Sequence, residues 1–70
     1  MHEIAIADET IRLGQFLKLA GLADAGSDAK ALVEAGEVTV NGRVDTRRGR
    51  RLRAGDVVAC GGRRARVVNG

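Results

Sequence analysis

The apolar residues of this chain change their spacing along its length, and each change marks an element. From Glu3 to Ala7 they alternate, with Ile4 and Ile6 on one side, which predicts a short edge strand. Asp8, Glu9 and Thr10 then supply cap-type residues. From Ile11 to Ala20 the period becomes helical: Leu13, Phe16, Leu17 and Ala20 share one face, and Gly21 is a suitable stop. Gly14 inside this helix costs about 1 kcal/mol relative to Ala, which close packing against another backbone would justify. A second helix is predicted after residues 22–26, with Ser27 as its cap and Asp28 at the positive end of its dipole. Ala29, Leu32 and Val33 form its apolar stripe, and Gly36 closes it.

Alternation returns at Val38-Thr39-Val40, followed by Asn41-Gly42, the strongest short hairpin signal. A two-residue hairpin sets Val40 against Arg43 and Thr39 against Val44. It leaves Val44 on the face opposite Val38 and Val40, so both faces are partly covered or a bulge intervenes. Ala54-Gly55-Asp56 reads as a turn, and residues 57–60 and 65–68 as strands around Gly61-Gly62. The sum is an α+β fold, a two-helix hairpin packed on a small, mostly antiparallel sheet.

Length restricts what such a fold can do. Seventy residues make one domain, 1–70, with a thin core. Cys60 is the sole cysteine, so no disulfide supports it, and Cys60 with His2 are too few ligands for structural zinc. No apolar run approaches the length of a membrane span, and no leader pattern opens the chain, which predicts a cytoplasmic protein. Catalysis has little support. His2 lies at the chain end, Cys60 suits a buried core position, and Asp56 suits the shaping of a turn. No phosphate-loop or dinucleotide glycine pattern occurs, and neither a cofactor nor a small-molecule substrate is expected.

Charge adds the decisive feature. Residues 1–40 carry seven acids and three bases, a balance of −4, whereas residues 41–70 carry nine arginines and two acids, a balance of +7. Five of those arginines, Arg47, Arg48, Arg50, Arg51 and Arg53, fall within seven residues. Flanked by apolar alternation, they look mounted on a folded support, as the register of a phosphate backbone requires. Codon bias toward Arg explains the residue type but not the clustering. Phe16 is the only aromatic residue and belongs to the core stripe, so base stacking on aromatics is excluded. Guanidinium groups gripping phosphates and sugar hydroxyls of a folded RNA remain.

The residues also carry a family resemblance. Ile11-Arg12-Leu13, Leu17, Gly21, Ser27, Ala29-Lys30, Leu32-Val33, Gly36, Val38, Val40-Asn41-Gly42 and Gly55-Asp56 resemble, in order and spacing, the RNA-binding domain named after ribosomal protein S4. The resemblance covers a motif core of about residues 11–58. Phe16 to Gly21, Ala29-Lys30, Gly36-Glu37-Val38 and Thr46-Arg47-Arg48 are most similar to its small stand-alone, YbcJ-type branch. It implies RNA bound where the second helix meets the basic loop. The chain departs from the wider family at Gly14, where Asp is frequent, and at Asp28, where Arg is frequent; Lys30 resembles the basic residue of the stand-alone branch.

The sequence thus predicts a non-catalytic, monomeric protein that binds structured RNA, ribosomal or ribosome-associated. The expected ligands are Arg47, Arg48, Arg50 and Arg51, with Asn41 and Arg43 at the hairpin and Arg12, Lys18 and Lys30 extending the surface from the helices. Arg63, Arg64 and Arg66 are expected to be solvated edge residues that discourage strand addition. The alternatives are a small adaptor whose basic face docks an acidic protein, and an accessory domain that once targeted a modification enzyme to RNA.

Overall fold

A computed structural model describes residues 2–70 of the chain. The elements are β1 (His2–Ile6), β2 (Ile11–Arg12), α1 (Leu13–Leu19), α2 (Gly26–Glu34), β3 (Val38–Val40), β4 (Arg43–Val44), β5 (Arg51–Leu52), β6 (Val57–Cys60) and β7 (Arg63–Asn69). Five strands form one sheet in the order β1-β7-β6-β3-β4, and β2 and β5 pair separately. Among the described residues only the β1–β7 pair is parallel; the other pairs are antiparallel. The α+β architecture follows the predicted one. No helix among the described residues is long and apolar enough to cross a membrane.

The helical hairpin supplies half of the core. Leu13, Phe16 and Leu17 of α1 and Ala29 and Val33 of α2 are fully buried, facing Val38, Val40, Val58 and Val67 of the sheet and Leu52 of β5. Both helices end in the same way. Leu22 donates its backbone N–H to Leu17 O (2.9 Å) and Gly21 to Lys18 O (3.1 Å). Glu37 likewise donates to Leu32 O (3.1 Å) and Gly36 to Val33 O (3.1 Å). These paired bonds need a left-handed residue after the helix, and Gly21 and Gly36 supply it at φ 73° and 75°.

The hairpin register is the one the two-residue turn demands, Val40 opposite Arg43 and Thr39 opposite Val44. Asn41 (φ 52°) and Gly42 (φ 85°) both adopt positive φ, as this turn type requires. No second layer covers Val44, which is 60% exposed. Cys60 is buried, and the Asp56 carboxylate accepts from Arg53 N (3.0 Å) and so shapes its turn.

Four local expectations are corrected. Ile11 and Arg12 form a strand rather than the first helical turn, and Asp8 to Thr10 cap nothing, because Arg12 is the N-cap of α1. Ser27 lies inside α2, whose N-cap is Ala25, without a side-chain cap. Leu32 is half-buried at the margin of the core. Finally, β7 lies between β1 and β6 from Ala65 onward, so Arg66 projects from an interior position, whereas Arg63 and Arg64 precede the described β1 register and pair with β6. The parallel return of the N-terminal strand closes that edge, and local alternation carries no signal for so distant a pairing.

The difference between Leu17 and Leu32 is measurable. Leu17→Ala should cost about 2–5 kcal/mol by denaturant titration, and Leu32→Ala distinctly less. Equal losses would place Leu32 in the core after all.

Candidate nucleic-acid interface

Residues 45–50 join β4 to β5 and hold the first half of the arginine run. Asp45, only 5% exposed, is the single buried charged or polar residue among those described. Its Oδ1 accepts from the backbone N–H (2.9 Å) and Nε (3.2 Å) of Arg47. Its Oδ2 accepts from Arg47 Nη2 (3.0 Å) and Arg50 Nη1 (2.9 Å). Chiefly the Arg47 guanidinium holds this carboxyl well below the usual carboxylate range. The Arg47 N–H and Arg50 reinforce the shift, while burial works against it.

The folded loop docks on α1. The first N–H groups of a helix have no partners within it, and here the loop supplies them. Leu13 donates to Arg50 O (2.8 Å) and Gly14 to Arg48 O (3.0 Å). The β2–β5 ladder continues the contact, setting Ile11 against the buried Leu52 and Arg12 against Arg51. Gly14 makes room: a Cβ there would stand 2.6 Å from Arg48 Cγ and 3.6 Å from Arg48 O. The close approach expected at Gly14 is therefore to the basic loop, and mainly to the stem of its Arg48 side chain.

The docking gathers cations. Arg12, Lys18 and Arg48 line an open hollow of about 340 Å³ whose other walls include Gln15, Gly14, Gly26 and Gly49. No carboxylate lines it, and none of the three cations has an ion-pair partner among the described residues. Lys18 Nζ stands 3.9 Å from where a Gly26 Cβ would lie, beside the positive end of the α2 dipole. Arg51 faces Arg12 directly across the ladder, and like charges so placed destabilise a sheet. Arg51 relieves this only by a long hydrogen bond to Thr10 Oγ1 (3.4 Å). An anion seated in the hollow would offset this repulsion.

The predicted site residues thus divide. Arg12, Lys18 and Arg48 come together in the hollow, and Arg51 lies outside its lining, opposite Arg12 in the ladder. Arg47 and Arg50 are held by Asp45, with side chains 74% and 31% exposed. The Asn41 amide is committed to the fold: Nδ2 donates to Asp56 Oδ1 (3.1 Å), and Oδ1 accepts from Val57 N (2.9 Å). Arg43 is exposed on β4, and Lys30 is exposed on α2, one turn beyond Gly26, outside the lining of the hollow. Asp28 lines a separate hollow with Leu32 and Arg63 and is not part of the lining of the cationic one. Arg63 donates to Gly21 O (3.3 Å), and Arg66 meets Glu3 at 3.6 Å. Asp45 is the residue that sequence reasoning missed; the one signal was a lone acid placed just ahead of the arginine run.

The S4 domain family model matches residues 4–68. The chain belongs to the S4 domain family. Over 57 residues it is 51% identical to "Probable ribosome maturation protein RlbA" of Bacillus subtilis, covering 81% of this chain and 80% of that one. It is 36% identical over 58 residues to "Putative RNA-binding protein YbcJ" of Escherichia coli, covering 83% of each. Among solved structures, the 30S ribosomal protein S4e from Thermoplasma acidophilum has the same fold, with a TM-score of 0.65 at 22% identity. That match covers 84% of this chain and 31% of S4e. Within this S4 domain, the hollow lies where the start of α2 meets the basic loop.

Two experiments probe the construction of the site. The folded Asp45 carboxyl titrates below its unfolded counterpart, near 3.9. It therefore stabilises the fold at pH values above that figure, and the contribution drains away as pH falls toward the depressed folded value. Asp45→Asn should melt well below wild type at pH 7, and the gap should close as pH is lowered from about 4 toward 2. A gap independent of pH would show that the charge is not what holds the loop. Gly14→Ala should gain about 1 kcal/mol of helix propensity and lose about 1–3 kcal/mol to crowding by Arg48. The melting point should change little or fall modestly, while Arg48 leaves the hollow. An unmoved Arg48 side-chain resonance in the variant would contradict the contact.

Proposed function

We propose that this S4 domain is a non-enzymatic RNA-binding protein acting on structured RNA, ribosomal or ribosome-associated. The observation that carries the reading is the lining of one hollow at the loop–α1 junction by Arg12, Lys18 and Arg48 with no acid among its walls, and with Arg51 opposite Arg12 in the adjoining ladder. The glycine-lined walls let a sugar–phosphate ridge approach the backbone, and the arginines offer planar forks for its oxygens. Family membership and the names of the relatives from Bacillus subtilis and Escherichia coli support the same polyanion.

The contact set is narrower than the arginine run. Arg12, Lys18, Arg48 and Arg51 bind phosphates; Arg47, largely exposed, adds its free edge while still paired with Asp45. Arg50 shapes the loop, and Arg43 and Lys30 flank the surface. The protein works as a monomer in the cytoplasm, where ribosomes are built, and its single domain spans residues 1–70. Phe16 is completely buried, so no aromatic platform exists and duplex-containing RNA is preferred to an unstructured strand.

With about four phosphates neutralised, log K should fall against log salt with a slope near −3 to −4. Arg48→Ala should weaken binding and flatten that slope by about 1 without lowering the melting temperature. Arg50→Ala should lower the melting temperature, because it removes a partner of a buried carboxylate. Binding of RNA by Arg48→Ala with wild-type affinity and slope would refute the placement of the site.

A further inference from the structure

A second hollow adjoins the cationic one. It is larger, about 690 Å³, and lies between the end of β1 and α1. Ala5, Ala7, Ile11 and Leu19 give it apolar walls, and Asp8 and Thr10 form part of its polar margin. The two hollows share a wall: Gln15 and Lys18 line both. Leu19 is 55% exposed, whereas Phe16 and Leu17 of the same helix are fully buried. Gln15 and Leu19 are one helical turn apart, so they occupy one stripe of α1 that leads out of the cationic hollow.

We propose that this apolar hollow receives one unpaired nucleobase of the same RNA whose phosphates lie on Arg12, Lys18 and Arg48. The inference rests on the RNA-binding reading above and specifies the RNA class: a helix interrupted by a bulged or extruded nucleotide. A nucleotide joins an anionic phosphate to a flat, largely apolar base with a hydrogen-bonding edge. The adjoining hollows present those chemistries in the same succession. Lys18 serves the phosphate at the junction, Ile11 and Leu19 cover the base faces, and Gln15 offers both a donor and an acceptor to its edge. The Asp8 carboxylate suits an exocyclic amino or ring N–H group and would repel a phosphate, which orients the nucleotide with its base in this hollow. Without an exposed aromatic ring, aliphatic contact is the means this chain has of holding an unstacked base.

The test compares a fully paired RNA hairpin with the same hairpin carrying one bulged 2-aminopurine nucleotide. Wild-type protein should bind the bulged hairpin about tenfold more tightly, with a change in 2-aminopurine fluorescence on binding. Leu19→Ser should remove that advantage and the fluorescence change, yet keep wild-type affinity for the paired hairpin and a wild-type melting temperature. Ile11→Val, a milder change from a strand position, should reduce the advantage in part. Equal wild-type binding of the two hairpins would overturn the base site and leave the cationic site standing. A bulge preference that survives Leu19→Ser would overturn its location. Failure to bind either hairpin, with binding also absent for total ribosomal RNA, would overturn the RNA-binding reading and this inference with it.

Discussion

The buried carboxylate of Asp45 is the constraint on which the arrangement depends. Five arginines in seven residues repel one another and, left alone, would hold an extended loop. Asp45 reverses this for two of them. Four donors converge on its two oxygens, including both a backbone N–H and the fork of Arg47. The loop is thereby folded back far enough for the carbonyls of Arg48 and Arg50 to meet the open first turn of α1. A helix lacking a side-chain cap and a loop lacking its own ladder complete each other. Gly14 permits the contact, and Leu52 secures it by entering the core.

This division explains how one run of like residues serves two ends. Arg47 and Arg50 are neutralised from within and belong to the architecture. Arg12, Arg48 and Arg51 have no carboxylate partner among the described residues and carry the external charge. The repulsion between Arg12 and Arg51 is a stability cost that a small domain does not retain for its fold, since many polar residues would suit a two-residue ladder equally well. Charge held where it destabilises the free protein is charge that a bound anion stabilises.

Much of the fold was legible because its signals are local. The Asn41-Gly42 turn sets its own register, Gly21 and Gly36 end their helices by backbone geometry, and Leu13, Phe16 and Leu17 declare a buried face by spacing. What local pattern does not carry is pairing over distance. Ile11-Arg12 looked helical because Ile11 continues an apolar period, yet it pairs with Arg51-Leu52, some forty residues away. Arg66 looked like an edge residue because the strand that pairs with it, β1, lies at the other end of the chain. The same limit applies to the site. Arginine density located the loop, but the roles of the individual arginines depend on Asp45 and on which carbonyls face α1. Asn41 stands beside the basic stretch, and its amide ties the turn to Asp56 and β6, which the sequence alone did not reveal.

Geometry also accounts for Arg rather than Lys at position 47. Its Nε and Nη2 bond both oxygens of Asp45 at 3.2 and 3.0 Å, a planar fork on a planar carboxylate. An ammonium at the same place would satisfy the charge as a point, with no control over the direction of the chain. Fixing that direction matters because Arg48 follows immediately and must carry its side chain over Gly14 into the hollow. The buried pair therefore sets the conformation of the loop as well as contributing to its stability. In a domain with so thin a core, a buried carboxylate with four donors sets the path of a loop that apolar packing reaches only at Leu52.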